Sequence, residues 1–321
     1  IIGRGGNETY PARNDKSAYG GGEKFVMKAY LLISHLRIHN ANAMSSTLTI
    51  GVPAMTAWLG AVHALERELG ERREPALEGI RLVKTAVSYH KTNLQIYKGL
   101  GDYVNSLVGT AHPLNEKGER PSFIEDARIH LSVSLLIEVE RVDGNNMELL
   151  EQAVKEILPR MKMAGGDILD IRKIQVMRIN EDNPISVRKV ISTLMPGYIP
   201  IERRDLMEAK ELEGKDSLDR LLHYLKVHQM AEKDESGKVT DWKYEKAAAG
   251  WIAPLAVGFK GLSPLGKVKN QRDPDTPHRF AESIVTLGEF KMAHRFRDID
   301  EMMWHYAYEE TNQLYIYKNK E

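Results

Sequence analysis

The segment Ile129–Glu140 constrains the fold more than any other stretch of this chain. Ile129, Leu131, Val133, Leu135, Ile137 and Val139 alternate with His130, Ser132, Ser134 and Glu138. A period of two sends successive side chains to opposite faces, so the run reads as a strand with one buried and one polar face. A sheet with one wet face is typically antiparallel, and its apolar face needs a cover of helices.

The neighbouring segments supply that cover. Ala29–Ile38 reads as a strand, followed by a polar loop from His39 to Ser46. A helix follows, with Pro53 near its first turn, an apolar stripe of Met55, Leu59, Val62, Leu65 and Leu69, and Gly70 as its stop. Gly79–Lys91 holds a second strand with Val83, Val87 and Tyr89 on one face. Thr92–Glu125 reads as an extended hairpin or loop excursion punctuated by Pro113, Asn115, Gly118 and Pro121. Met147–Met163 reads as a helix with Leu150, Val154, Ile157, Leu158 and Met161 inward. Pro159 is expected to kink it or end it early, and Gly165 and Gly166 to close it. A fourth strand is expected within Ile168–Ile179. The order strand–helix–strand, strand–helix–strand gives an α+β class with a ferredoxin-like (RRM-like) βαββαβ core. Two helices would cover one face of that sheet and leave the other free to meet a ligand.

Past Asn180 the pattern reads as helical and loop elaborations. Asp216–Met230 carries the stripe Leu218, Leu221, Leu222 and Leu225, and Glu232–Lys246 reads as a charged linker. Gly250–Pro277 is rich in Gly, Pro and Lys, and Arg279–His294 and Asp298–Tyr306 read as helices. The expected organisation is a flexible leader or tag over 1–26 and a ferredoxin-like core over 27–180. A helical insert over 181–249 follows, then a basic loop with helices returning to the core over 250–321.

Charge narrows the function. Lys plus Arg and Asp plus Glu number 45 each in 321 residues, a net charge of zero. A free-standing nucleic-acid binder usually carries a basic excess, so any site for a polyanion must be local. A chain without net self-repulsion is expected to associate readily. There is no cysteine, which excludes disulfides, thiolate catalysis and Cys-based zinc sites. Apolar runs such as Ala29–Ile33 are too short to span a bilayer, and the first residues hold no apolar leader stretch. A reducing cytoplasm is the expected location, with no membrane partner.

The common catalytic signatures are missing: no phosphate-binding Gly-x-x-x-x-Gly-Lys, no His-Glu-x-x-His, no Gly-x-Ser-x-Gly. His35 and His39 fall on a strand and its loop rather than on one helical face, so no metal site and no cofactor are expected. Tyr89, His90 and Lys91 supply the residue types for metal-independent RNA cleavage, but adjacent residues on a strand do not converge on one face. The segment Arg37–Ser46 offers a cation, side-chain amides and hydroxyls. Such groups either contact phosphates and base edges or form an Asx-turn network that holds the loop itself. Lys260, Lys267, Lys269, Arg272, His278 and Arg279 stand against only Asp273 and Asp275. That basic patch is either a phosphate-contacting loop or a solvated face. Gly165 and Gly166 either let a backbone approach a polyanion closely or cap a helix.

Several strings together carry a resemblance. They are Arg-Ile-His-Asn-Ala-Asn-Ala-Met-Ser-Ser at 37–46, Leu-Thr-Ile-Gly-Val-Pro at 48–53 and Val-His-Ala-Leu-Glu-Arg at 62–67, with Pro-Leu-Asn at 113–115. Ala-Arg-Ile-His-Leu-Ser-Val-Ser-Leu-Leu at 127–136, Met-Ala-Gly-Gly-Asp-Ile-Leu at 163–169 and Leu-Met-Pro-Gly-Tyr at 194–198 follow in order. Gly-Trp-Ile-Ala-Pro at 250–254, Leu-Ser-Pro-Leu at 262–265, Lys-Asn-Gln-Arg-Asp at 269–273 and Thr-Pro-His-Arg-Phe-Ala-Glu at 276–282 complete the set. From Ala29 to Tyr306 the chain resembles the second Csy protein family, the Cas-five-like RAMP-superfamily subunit of type I-F CRISPR complexes.

The resemblance implies a ferredoxin-like fold with a helical elaboration and a non-catalytic role in antiviral defence. That role is to grip the five-prime handle of the CRISPR RNA (crRNA) together with the large Csy subunit. The assembly also contains backbone Csy subunits and meets target DNA through the complex as a whole. RNA processing in such a system belongs to a separate endoribonuclease, so no activity is expected here. The alternative is a metal-independent endoribonuclease of the same superfamily that processes repeat RNA, and a third reading is a protein–protein adaptor. Within the matched segments the expected RNA-binding residues are Arg37, His39, Asn40, Asn42, Ser45, Ser46, Lys91, Gly165, Gly166, Lys267, Lys269, Asn270, Arg272 and Arg279. Gly165 and Gly166 fall where the superfamily carries its glycine-rich loop. Residues 1–26 precede the usual family start, and Ile96–Ala111 departs from the family pattern.

Overall fold

The computed structural model describes residues 27–108, 114–119, 126–271 and 273–319. The expected leader over 1–26, Arg272 and parts of the 92–125 excursion lie outside the described residues. The first half is built from β1 (Met27–Asn42), α1 (Met55–Glu71), β2 (Arg81–Leu94), β3 (Arg128–Glu140), α2 (Met147–Ile157) and β4 (Gly166–Asn180). The strands lie side by side in the order β2-β3-β1-β4, every neighbouring pair antiparallel.

The alternation in β3 does what a period of two requires. Ile129, Leu131, Val133, Leu135, Ile137 and Val139 are all buried against Met55, Trp58, Leu59, Val62, Leu65 and Leu69 of α1 and Leu150, Ala153, Val154 and Ile157 of α2. Register puts Leu31 opposite Ile137, Ile33 opposite Leu135 and Leu36 opposite Val133, so β1 feeds the same core. Each such side chain contributes roughly 1.5–3 kcal/mol on burial.

Several expectations are corrected in detail. The polar loop expected from His39 is strand as far as Asn42, and Met44–Ser46 pairs with Thr49–Ile50 in a small hairpin. Gly70 does not stop α1, which runs to Glu71; Arg73, at φ 52°, takes the left-handed turn after it. Val83 is only partly buried and Leu82 takes its place in the core, because a bulge between Leu82 and Lys84 shifts the faces. Pro159 ends α2 early, in a 3-10 turn over Leu158–Arg160. Gly165 and Gly166 do not cap that helix. Gly165 lies in the tight turn between the short strand Lys162–Met163 and β4, and Gly166 opens β4 opposite Met163.

The second half contains α3 (Pro184–Thr193), β5 (Tyr198–Glu202), α4 (Ser217–Leu225), β6 (Val227–Lys233), β7 (Val239–Lys246), β8 (Ile252–Gly261), β9 (Ala281–Met292), β10 (His305–Glu309) and β11 (Leu314–Lys318). The expected helix over 279–294 is mostly strand, and 298–306 holds only a 3-10 turn at Asp300–Met302 before β10 begins at His305. Ile284, Val285 and Thr286 are β-branched, and β9 pairs on both sides, so a ladder outweighs helical propensity. The charged linker over 232–246 is instead a hairpin of β6 and β7, closed by a turn at Asp234–Lys238. These strands extend the main sheet to ten, in the order β10-β11-β8-β9-β5-β2-β3-β1-β4 and then Lys162–Met163.

The outer face of the sheet is not wholly free. Tyr30, Leu32, Ala86, Leu136 and Ile179 pack there against Val187, Val190, Ile191 and Leu194 and against Phe296, Ile299, Met302 and Met303. Asp300 anchors that cover by pairing with Lys28 at 3.2 Å and Lys84 at 3.0 Å. The half of the outer face nearer Asn42 and Leu94 stays open. Among the described residues no helix is long and apolar enough to cross a membrane.

Candidate nucleic-acid interface

Two bulges in β1 build the open face. Register shifts between Ile33 and Leu36 and between Ile38 and Ala41. Each bulge holds one residue at positive φ, His35 at 48° and Asn40 at 55°. Leu36, Ile38 and Ala41 therefore stay in the core, while Arg37 stands exposed between them.

Cross-strand pairing then aligns a polar row. Lys91 lies opposite Ser132, Ser132 opposite Arg37, and Arg37 opposite Asp170. Arg37 and Lys91 make no ion pair or side-chain hydrogen bond with another described residue. In the next row Asn93 pairs with His130. The ring of His39 stacks on that of His130, centroids 4.3 Å apart, and the Asn40 N–H donates to His130 Nδ1 at 3.1 Å. That bond leaves the neutral ring's proton on Nε2. Desolvation and the adjacent His39 hold the His130 imidazole below its ordinary range.

A second histidine pair lies nearer the covered half. His35 and His90 stack with centroids 4.2 Å apart. His90 Nδ1 meets the Pro196 carbonyl at 2.6 Å and Nε2 meets Ser134 Oγ at 2.6 Å, while the His35 N–H donates to the same hydroxyl at 3.0 Å. A carbonyl only accepts, so Nδ1 carries the proton and Nε2 accepts from Ser134. Burial pushes the His90 pKa down, and His35 adds to this. Tyr89 faces the core, its hydroxyl accepting from Trp58 Nε1 at 2.7 Å. Tyr89, His90 and Lys91 thus face the core, a hydrogen-bonded niche and solvent, and form no acid–base constellation.

The glycine turn sits beside these rows. Gly165, at φ 79°, lies against Asn42, whose N–H donates to the Ala164 carbonyl at 2.9 Å. A Cβ on Gly166 would lie 2.6 Å from the His39 carbonyl oxygen and 2.7 Å from the Ala41 nitrogen. Glycine is therefore demanded by contact with the β1 bulge. Asn42, Ser45 and Ser46 are largely committed to local bonds. Asn42 Oδ1 accepts from the Met44 N–H at 3.0 Å, and the Ser45 and Ser46 hydroxyls meet Thr49 Oγ1 at 2.8 and 2.7 Å. For these three the Asx-type network is realised.

The basic loop lies elsewhere. Met292 is opposite Tyr198, and Tyr198 is opposite Tyr89. From there β9 runs back toward the Arg81 end of the sheet, so Ala281 lies ~36 Å away at ~3.3 Å per residue. Lys267, Lys269 and Asn270 are exposed on the loop beyond it. Arg279 is half-buried there, with its Nε lacking any partner among the described residues. The structure thus groups Arg37, His39, Asn40, Asn42, Ser45, Ser46, Lys91, Gly165 and Gly166 at one end. Lys267, Lys269, Asn270 and Arg279 lie at the other.

Residues not foreseen from the sequence adjoin the first group. The alternation alone placed Ser132 and His130 on the outer face, but that Asn93 lies opposite His130 needed the register. Further along, β5 meets β2 only at Tyr198 and Tyr89. Beyond that level β2 runs on to Leu94, because β5 begins at Tyr198 and β9 ends at Met292. A cavity of about 440 Å³ fills the gap, lined among others by Ser45, Lys91, Tyr198, Trp251 and Phe290. Among the described residues no cluster of His, Asp or Glu is arranged to hold a metal ion.

The comparisons with known proteins agree with one another. A family model described as CRISPR-associated protein (Cas_Csy2) matches residues 31–317. A curated relative, CRISPR-associated protein Csy2 of Pseudomonas aeruginosa (strain UCBPP-PA14), is 30% identical over 314 residues, covering 90% of this chain and 94% of the relative. These matches place the chain among the CRISPR-associated proteins of antiviral defence, as a subunit of a type I-F Csy complex. Within that class it belongs to the Csy2 family.

Proposed function

We propose that this chain is a non-catalytic subunit that binds the five-prime handle of crRNA together with the large Csy subunit. It would sit beside the backbone subunits of the surveillance complex and meet target DNA only through that assembly. The observation that carries the reading is the row Lys91–Ser132–Arg37 on the open half of the sheet, with two exposed cations free of partners among the described residues. RNA-recognition modules use an open sheet face in the same way, with cations for phosphates and rings for bases. The strand order β2-β3-β1-β4 with two helices on one face supports assigning 27–180 as a ferredoxin-like core. The segment 181–249 is then an insert, and 250–321 returns to the sheet through β8 to β11. The cytoplasm, where crRNA resides, is the matching location.

The RNA-binding set remains the one expected from the sequence. Arg37, His39, Asn40 and Lys91 carry the direct contacts, and Asn42, Ser45, Ser46, Gly165 and Gly166 shape the backbone beneath them. Lys267, Lys269, Asn270, Arg272 and Arg279 form a second contact region for a different stretch of polynucleotide. The non-catalytic reading is supported by the engagement of both His90 ring nitrogens and the burial of Tyr89. The test is the double variant Arg37→Glu, Lys91→Glu, assembled with the large subunit and titrated with handle RNA at several salt concentrations. Affinity should fall, and the salt slope should shrink by about one for each phosphate that is no longer neutralised. An unchanged affinity and slope would remove this face from the RNA path.

A further inference from the structure

We propose that the cleft between β2 and β5 is a socket for one unstacked nucleobase of the bound RNA. This deepens, and rests on, the RNA-binding reading above.

The cleft exists because the sheet splits. β2 loses its neighbour beyond Tyr89, and the small hairpin at Met44–Ile50 lies over the gap, contributing Ser45 and Thr49 to its lining. One wall is aromatic. Trp251 packs edge-on against Tyr198 at 5.3 Å and tilted against Phe290 at 5.2 Å. The rings fix one another, so the wall is formed before anything binds. Yet Trp251 remains 57% exposed and Tyr198 39% exposed. The Trp58 and Trp304 indoles donate to Tyr89 Oη and Pro200 O; the Trp251 indole N–H has no partner among the described residues. An open aromatic surface with an unused donor marks a binding site rather than core.

The other groups in the cleft select the occupant. Lys91, free of partners among the described residues, lines it along with Ser45, Thr49 and Thr92. The Ser45 and Thr49 hydroxyls bond each other, which leaves Lys91 and the Thr92 hydroxyl without partners among the described residues. An apolar side chain from a partner would gain nothing from either, whereas a nucleotide uses both: the base stacks on the rings, its edge meets Thr92, and its phosphate meets Lys91. At about 440 Å³ the space is in the range that accommodates a small organic ligand. Lys91 also belongs to the row with Ser132 and Arg37. A strand tracking that row therefore passes the mouth of the cleft, where one base can leave the stack.

The experiment uses the complex assembled on handle RNAs in which each nucleotide in turn is replaced by an abasic one. One abasic position should weaken binding about tenfold, the scale of a single base–aromatic stack. Trp251→Ala should weaken binding to the same degree, and should bind that abasic RNA no worse than the intact one. Trp251→Phe, which keeps a ring, should restore most of the affinity. An equal effect at every abasic position in both wild type and Trp251→Ala would overturn the socket while leaving Arg37→Glu, Lys91→Glu to test the wider interface. If Trp251→Ala instead weakens assembly with partner subunits and leaves RNA affinity unchanged, the cleft holds a protein side chain and the proposal fails. Undiminished RNA binding in every variant, at Trp251 and at Arg37 and Lys91, would overturn both readings.

Discussion

At the scale of single residues, the open face depends on packing that tolerates little change. Gly166→Ala would drive a methyl group against the His39 carbonyl and the Ala41 nitrogen. Backbone, not a flexible side-chain tip, must then give way. Overpacking of this kind typically costs about 1–3 kcal/mol, so chemical denaturation should show roughly that destabilisation, with displaced His39 and Asn40 resonances. His90 makes a separate prediction about pH. Its folded pKa lies below the ordinary 6.5, so the unfolded chain takes up a proton first as pH falls. The stability due to neutral His90 is complete above about 6.5 and is lost as pH drops toward the folded pKa. Unfolding followed at about pH 7.5 and about pH 5.5, on either side of that value, should show a larger drop in stability for wild type than for His90→Gln. Equal drops would mean that His90 is not held neutral.

Among elements, β3 shows how far pattern reading carries. Its inner face is legible from alternation alone, and so are the apolar stripes of α1 and α2. Leu136 is the residue out of place on the face that otherwise reads polar. The structure buries it completely against the segments that cover the outer face. Leu136→Ala should therefore cost about 2–5 kcal/mol, the range for a core leucine, rather than the small effect of a surface site. A thermal shift near zero would mean that the outer cover does not form. The elements misread from sequence share one cause. In β9 most side chains are partly buried on both faces, so neither a period of two nor a helical period emerges. In β6 and β7 nearly every side chain is exposed, so burial imprints no pattern and only the turn chemistry at Asp234–Gly237 marks the hairpin.

For the molecule as a whole, the sheet decides which candidate residues can act together. The basic loop and the Arg37 row stand at opposite ends, and no single short stretch of RNA is expected to bridge them. Lys267→Glu with Lys269→Glu should therefore alter protection of different nucleotides from Arg37→Glu with Lys91→Glu in a chemical footprint of the assembled complex. Coincident footprints would mean that the polynucleotide folds back on itself across the sheet.

The sequence by itself determined the α+β class, the inner core and the order of strands and helices through Asn180, because periodic burial writes itself into residue type. It also carried the family resemblance, through strings such as the Asn-rich 37–46 segment and the basic 269–282 segment, which packing alone does not require. Only the tertiary structure decided which polar residues become neighbours. Strand register, two bulges in β1 and the splitting of the sheet beside β2 are set by contacts between distant segments. No local pattern records where Lys91 meets Ser132 and Arg37, or that Trp251 closes a cleft beside them.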